Sequence, residues 1–228
     1  MSPSTGPEKG DSPAFNERSG ASGRTGRIRR GRYGLSRAEL EVYHRDRILD
    51  ATLNIVGVAG YSELSVSSIT ELAGVTRQAF YALYESPEAA FLDTYRDAIG
   101  GLLAQLAATH DVESEPEAGL VRGIEAAVDY LVAEPVRAAL VLVEVHAAGA
   151  AAVEIQQRAL STVVGGAAEL LERSGVPVVD AERGARFGVG AVNEALRARI
   201  TRGDLQDLAS IVPDLSATAF PMVADARA

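Results

Sequence analysis

Twenty residues, Ser65 to Tyr84, reading SVSSITELAGVTRQAFYALY, restrict the fold of this chain more than any other stretch. Val66, Ile69, Leu72 and Ala73 recur at helical spacing, and Ser65 stands before them with a hydroxyl suited to cap the first free backbone N–H groups. Gly74 follows. Glycine accepts positive φ without steric cost, so it can stop a helix and turn the chain within a few residues. Thr76 can then cap a second helix. At 100° per residue, Ala79, Phe80 and Leu83 share one side of that helix, and Arg77, Gln78 and Tyr81 share the other. One side packs, and the other is available for contact. The pattern predicts a helix-turn-helix. Arg and Gln carry the paired donors and acceptors that match the major-groove edges of guanine and adenine. Thr76, Arg77 and Gln78 are therefore candidates for base edges, and Tyr81 with the Ser65 and Ser67 cap region for phosphates. Tyr84 lies at the border of the packed side, so its ring should pack and its hydroxyl should reach the rim.

The other segments read as helices punctuated by glycine and proline. A first helix is expected from Ser36 or Glu41 to Val58, burying Ile48, Leu49, Thr52, Leu53, Ile55, Val56 and Ala59, with Gly60-Tyr61 ending it. Arg45 and Arg47 lie in its early turns, within possible reach of a phosphate backbone. Ser86-Pro87-Glu88 is a helix start: a cap, a proline at the first position where its missing N–H costs nothing, and an acid near the positive end of the dipole. The helix it opens, to about Thr109, is long enough to bridge the reading unit and the rest. Further helices are expected over Glu117 to Ala133, from Pro135 to a close at Gly149, over Ala150 to Ser174, and from an Asp180 cap to about Thr201. A last helical stretch is expected from Leu205 to Val212. No strand alternation and no repeat is present, so the chain is expected to be all-α with about nine helices.

Net charge argues about partners only once it is divided along the chain. The total is −9, which taken alone disfavours nucleic acid. Residues 1 to 50, however, hold ten Lys and Arg against seven Asp and Glu, net +3, and the remainder twelve against twenty-four, net −12. An acidic body behind a basic front favours approach to DNA through that front. Residues 1 to 36 are rich in Ser, Gly, Pro and Arg, and Arg24 to Arg37, including Arg29, Arg30 and Arg32, contain no acid. They read as a disordered arm that either lies along DNA or serves as a solubilising tail.

The chain contains no cysteine, which removes disulfides and cysteine-ligated metal. Its three histidines fall in no catalytic spacing, and Gly188-x-Gly190 has no preceding strand, so neither an enzyme nor a dinucleotide fingerprint is indicated, and no cofactor or metal is expected. No apolar run reaches membrane-span length and no signal peptide is evident, which makes the cytoplasm the expected compartment and a membrane partner unexpected. A ligand cavity would be walled by Ala, Val and Leu, favouring an apolar or amphipathic molecule. Its candidate polar anchors are Tyr130, Glu144, His146, Gln156 and Asn193.

Arg47-Ile48-Leu49-Asp50-Ala51, Gly60-Tyr61, Ser65-Val66, Ile69, Ala73-Gly74-Val75-Thr76, Phe80-Tyr81 and Ser86 together resemble the amino-terminal domain of TetR-type bacterial transcription regulators. The resemblance covers about fifty residues. It implies a three-helix DNA-binding domain over 37–86, a helical ligand-binding and dimerisation domain over 87–228, a double-stranded operator, a homodimer and a small-molecule effector that releases the DNA. Leu83 and Pro87 depart from the histidine and lysine common in that family, so the reading head is poor in phosphate contacts. In relatives the last two long helices pair as a four-helix bundle, which makes Phe187, Gly188, Ala191, Val192 and Ala195 candidates for the dimer interface. An activator, an architectural DNA-coating protein and a carrier with a vestigial reading head stay open at this point.

Overall fold

Helix caps in the sequence decide where the chain turns. The computed structural model describes residues 36–109, 115–204, 210 and 212–214. Among them are eight α-helices: α1 Arg37–Ala59, α2 Val66–Ala73, α3 Arg77–Tyr81, α4 Pro87–Ala108, α5 Pro116–Ala133, α6 Pro135–Leu142, α7 Ala150–Arg173 and α8 Val178–Arg202. Two single-turn 3-10 helices, Tyr61–Glu63 and Glu144–His146, complete the set. The described residues are all-helical, as expected. The arm, including Arg29, Arg30 and Arg32, lies outside the described residues, as does most of the stretch from Leu205.

The punctuation works largely as read. Gly74 closes α2 in the left-handed region at φ 63°, and Gly60 follows α1 at φ 94°. Ser86 Oγ accepts from the Ala89 N–H at 3.1 Å, with Pro87 behind it. Two boundaries differ. α6 ends at Leu142, short of the expected Gly149, and the chain tightens into the 3-10 turn that carries Glu144 to the Tyr61 N–H. α8 begins at Val178 after Pro177, so Asp180 lies inside its first turn, beside Arg183, and is not the cap.

Buried apolar side chains form two clusters. The smaller gathers Ile48, Leu49 and Ala51 of α1, Ile69 and Ala73 of α2, Phe80 of α3, Tyr84 from the connection after α3, and Ala90 of α4. The larger joins α4 to α8 around Phe91, Tyr95, Ile99, Leu120, Val141 and Leu171. α4 belongs to both, because its side chains step from one cluster to the other at helical spacing. It is held at its middle by two tyrosine hydroxyls: buried Tyr95 donates to the Val141 carbonyl at 3.2 Å, and half-buried Tyr130 donates to the Ala98 carbonyl at 2.6 Å. α1 touches the larger cluster at Gly57, where a side chain would overlap Val136 of α6.

Thr52 is fully buried on α1, and its hydroxyl has no hydrogen-bond partner. An unpaired buried hydroxyl carries its desolvation cost with no return. Thr52→Val keeps the shape and removes that cost, so it is expected to leave stability unchanged or to raise it by about 1 kcal/mol, measured by urea unfolding. One burial expectation fails, since Ala59, the last residue of α1, is exposed; Leu72, at apolar spacing on the short α2, is also 55% exposed.

Candidate nucleic-acid interface and ligand cavity

α2 and α3 form a helix-turn-helix that is fixed by its own polar side chains. Ser65 and Ser68 make a reciprocal capping box at the start of α2, with Ser65 Oγ accepting from the Ser68 N–H at 3.0 Å and Ser68 Oγ accepting from the Ser65 N–H at 3.0 Å. Thr76 Oγ1 accepts from the Ala79 N–H at 3.1 Å and caps α3. Phe80, fully buried, anchors α3 against α1 and α2. The opposite side is exposed: Thr76, Arg77, Gln78 and Tyr81 face outward, Tyr81 at 58%. Arg77 Nη2 donates to Ser67 Oγ at 2.6 Å, so the guanidinium is laid across the mouth of the turn. These five residues are brought onto one surface with Ser65.

Three other candidates make hydrogen bonds within the fold. Arg47 caps the end of α2, donating from Nε to the Ala73 carbonyl, and its Nη1 donates to the Tyr43 hydroxyl at 3.2 Å. Arg45 and Tyr84 both bind Asp93 of α4. The Tyr84 hydroxyl donates to Asp93 Oδ2 at 2.6 Å, and Arg45 approaches the same oxygen through Nε at 3.1 Å and Nη2 at 3.0 Å. Tyr84 therefore does not reach the rim as expected. It is buried, with its hydroxyl turned inward. Asp93 was missed by sequence reading, since a lone acid six residues past the Pro87 helix start carries no pattern.

Burial would raise the Asp93 pKa, but the hydrogen bonds from Tyr84 and Arg45, with the charges of Arg45 and Arg96, outweigh it and hold the carboxyl below its ordinary value. Burial first, then the bond to Asp93, pushes the Tyr84 phenol up. A carboxylate with a depressed folded-state pKa contributes stability above its unfolded value and loses it as pH falls through the folded one. Wild type is therefore expected to lose stability below about pH 4 more steeply than Asp93→Asn, as read by urea midpoints at pH 6, 5, 4 and 3.

The larger cluster borders a cavity of about 610 Å³, open on one side, between α4, α5, α7 and α8. Leu102, Leu103 and Leu106 of α4, Leu120 and Ile124 of α5, Leu160 and Leu170 of α7, and Val189, Val192 and Leu196 of α8 supply most of its wall. Of the five anchors expected, only Asn193 lines it. Tyr130 is turned to Ala98 and Arg137, Glu144 accepts from the Tyr61 N–H at 2.8 Å, Gln156 is buried outside the wall, and His146 is exposed. Periodicity found the apolar faces but not which polar group each face turned inward.

The candidate interface residues of α8 also divide. Gly188 is buried and Val192 lines the cavity, while Ala191 and Ala195 are half-buried. Phe187 alone of the five is exposed, at 72%. It stands in an outward row with Arg183, Gly190 and Glu194, at spacings of four, three and four.

A helix-turn-helix ahead of a helical body with an apolar cavity is the fold of TetR-type transcriptional regulators. A fatty acid degradation regulator, FadR, from Bacillus halodurans superposes with a TM-score of 0.69 at 17% identity, over 77% of this chain and 94% of that one. The Bacillus subtilis FadR, solved in complex with stearoyl-CoA, gives 0.66 at 15% identity over 77% and 97%. A TetR-like regulator from Rhodococcus sp. RHA1 gives 0.64 at 20% identity over 83% and 98%. No protein-family model and no curated protein matches the chain. Among the described residues no group of side chains could hold a metal ion, and no single helix is long and apolar enough to cross a membrane.

Proposed function

We propose that this chain is a homodimeric, ligand-responsive repressor in which residues 37–86 read a pseudo-palindromic operator and residues 87–228 bind the effector and the second subunit. The observation that carries the reading is the outward face of α3. Arg77, Gln78 and Tyr81 stand exposed on a helix whose other side is anchored by a fully buried Phe80. Thr76, Arg77 and Gln78 suit base edges, and Ser65, Ser67 and Tyr81 suit phosphates and their immediate surroundings.

Effector control is supported by the two ends of α4. Ala90 and Asp93 hold the reading unit, and Leu102, Leu103 and Leu106 wall the cavity. Asp93 and Leu106 are thirteen residues apart, about 20 Å along the helix. An occupant that prefers a different α4 position weakens DNA binding by the same factor by which DNA weakens its own binding. The stearoyl-CoA bound by the Bacillus subtilis FadR supports a long apolar effector for this fold, in keeping with the lining here.

The test is an alanine comparison on DNA recovered by selecting genomic fragments with the purified protein. Arg77→Ala is expected to cost about 1–3 kcal/mol on the selected site and to relax preference at one base position, whereas Tyr81→Ala should weaken selected and random DNA alike. Equal losses on both DNAs for both variants would overturn the assignment. An architectural protein would select no common sequence, and a carrier would retard no DNA.

A further inference from the structure

Resting on the reading of the cavity as the effector site, we infer that its occupant is an uncharged amphipath, an alkyl chain ending in one neutral hydrogen-bonding group that meets Asn193, and that ionised carboxylates are refused. Four of the lining side chains end in polar atoms: Thr109, Thr162, Glu169 and Asn193. The two threonines are engaged with their own helices. Thr109 Oγ1 donates to the Leu106 carbonyl at 2.7 Å, and Thr162 Oγ1 donates to the Arg158 carbonyl at 3.2 Å. Glu169 is exposed and has a partner of its own. Asn193 differs. It is half-buried among Val189, Val192 and Leu196, and its amide makes no hydrogen bond with any described residue. A carboxamide offers two donors and an acceptor, and a half-buried one left unpaired gains from any ligand that supplies the complement.

The charge of the wall sets what that complement is. Among the described residues no Lys, Arg or His lines the cavity, and the one ionisable side chain there, Glu169, is an acid. Arg122, beside Gly119, is not among the lining residues and has a partner of its own. A carboxylate drawn in past the mouth to Asn193 would give up part of its hydration without meeting a cation among the described lining residues and would approach a like charge, in a chain whose net charge is −9. A primary amide, ketone or alcohol loses far less on entry and pairs with Asn193. The cavity's 610 Å³ is roughly twenty times the liquid volume of a water molecule, enough for a medium-length alkyl chain with such a head.

The test uses the full chain and displacement of N-phenyl-1-naphthylamine, a neutral fluorescent hydrophobe, by decanamide, decanoate and decanoyl-CoA at pH 8. Decanamide is expected to bind at least about a hundredfold more tightly than decanoate. Lengthening the amide from eight to twelve carbons should improve affinity about fourfold per methylene. Asn193→Leu should weaken decanamide at least about tenfold while leaving naphthylamine binding unchanged, a split that a merely structural role would not give. Decanoate or decanoyl-CoA binding as tightly as decanamide overturns this inference and leaves the effector reading intact. Failure of the naphthylamine and all three ligands to bind overturns both.

Discussion

Phe187→Glu is expected to convert the protein from dimer to monomer and to lower affinity for a two-half-site operator by roughly 10²- to 10⁴-fold, the contribution of linked binding. Phe187 is 72% exposed on the outward row of α8, so no intramolecular core depends on it, and the monomer should keep its fold. Gly190, in the same row, leaves open space, since a Cβ there would meet nothing within 4 Å. Pairing two such faces about a two-fold axis lets each phenylalanine lie against its partner's glycine, and a glutamate there would bury an uncompensated charge. Sedimentation and band retardation report the two losses together. A variant that remains dimeric, or a wild type that is monomeric at micromolar concentration, contradicts this interface.

Gly57→Ala is expected to lower stability by about 1–3 kcal/mol, or a Tm shift on the order of 2–12 °C for a chain of this size. The sign is the informative part. Glycine inside a helix is ordinarily worth replacing, because alanine gains about 0.5–1 kcal/mol there. At Gly57 the added methyl group would overlap both Cγ1 and the carbonyl of Val136, and the carbonyl is backbone that cannot rotate away without moving α6. Gly100→Ala, at an exposed position of α4 where a Cβ would meet nothing within 4 Å, is the matched control and should stabilise. Calorimetric melts of the two variants separate close packing of α1 on α6 from a general glycine effect. Equal stabilisation of both would show that α1 and α6 do not meet as closely as drawn.

Features with a local physical cause were the ones legible in the sequence. Caps at Ser65, Thr76 and Ser86, the stop at Gly74 and the proline starts of α4 and α6 each depend on a few neighbouring residues, and each appears where the residues imply, while α5 starts at Pro116, one residue before the expected Glu117. The exposure of Arg77, Gln78 and Tyr81 followed from helical geometry alone. What stayed hidden depends on residues distant in sequence. The Arg45–Asp93–Tyr84 cluster joins α1 to α4 across 48 positions, and the Tyr61–Glu144 bond spans 83. Neither leaves a periodic trace. The cap that Arg47 places on α2 and the ion pair of Arg45 with Asp93 stayed hidden for the same reason. On α8, glycine spacing was visible, but the direction of each face was set by α7 and the cavity, so Gly188 and Val192 turned inward while Phe187 turned out.

The central claim is sequence reading by two paired α3 helices, and fragment selection tests it most directly. Genomic DNA bound by the purified full chain at fixed salt, then sequenced, is predicted to yield a common pseudo-palindrome whose half-sites lie one helical turn, about 10–10.5 base pairs, or a small multiple apart. Recovery of fragments with no shared sequence, or of single unpaired half-sites, would contradict it.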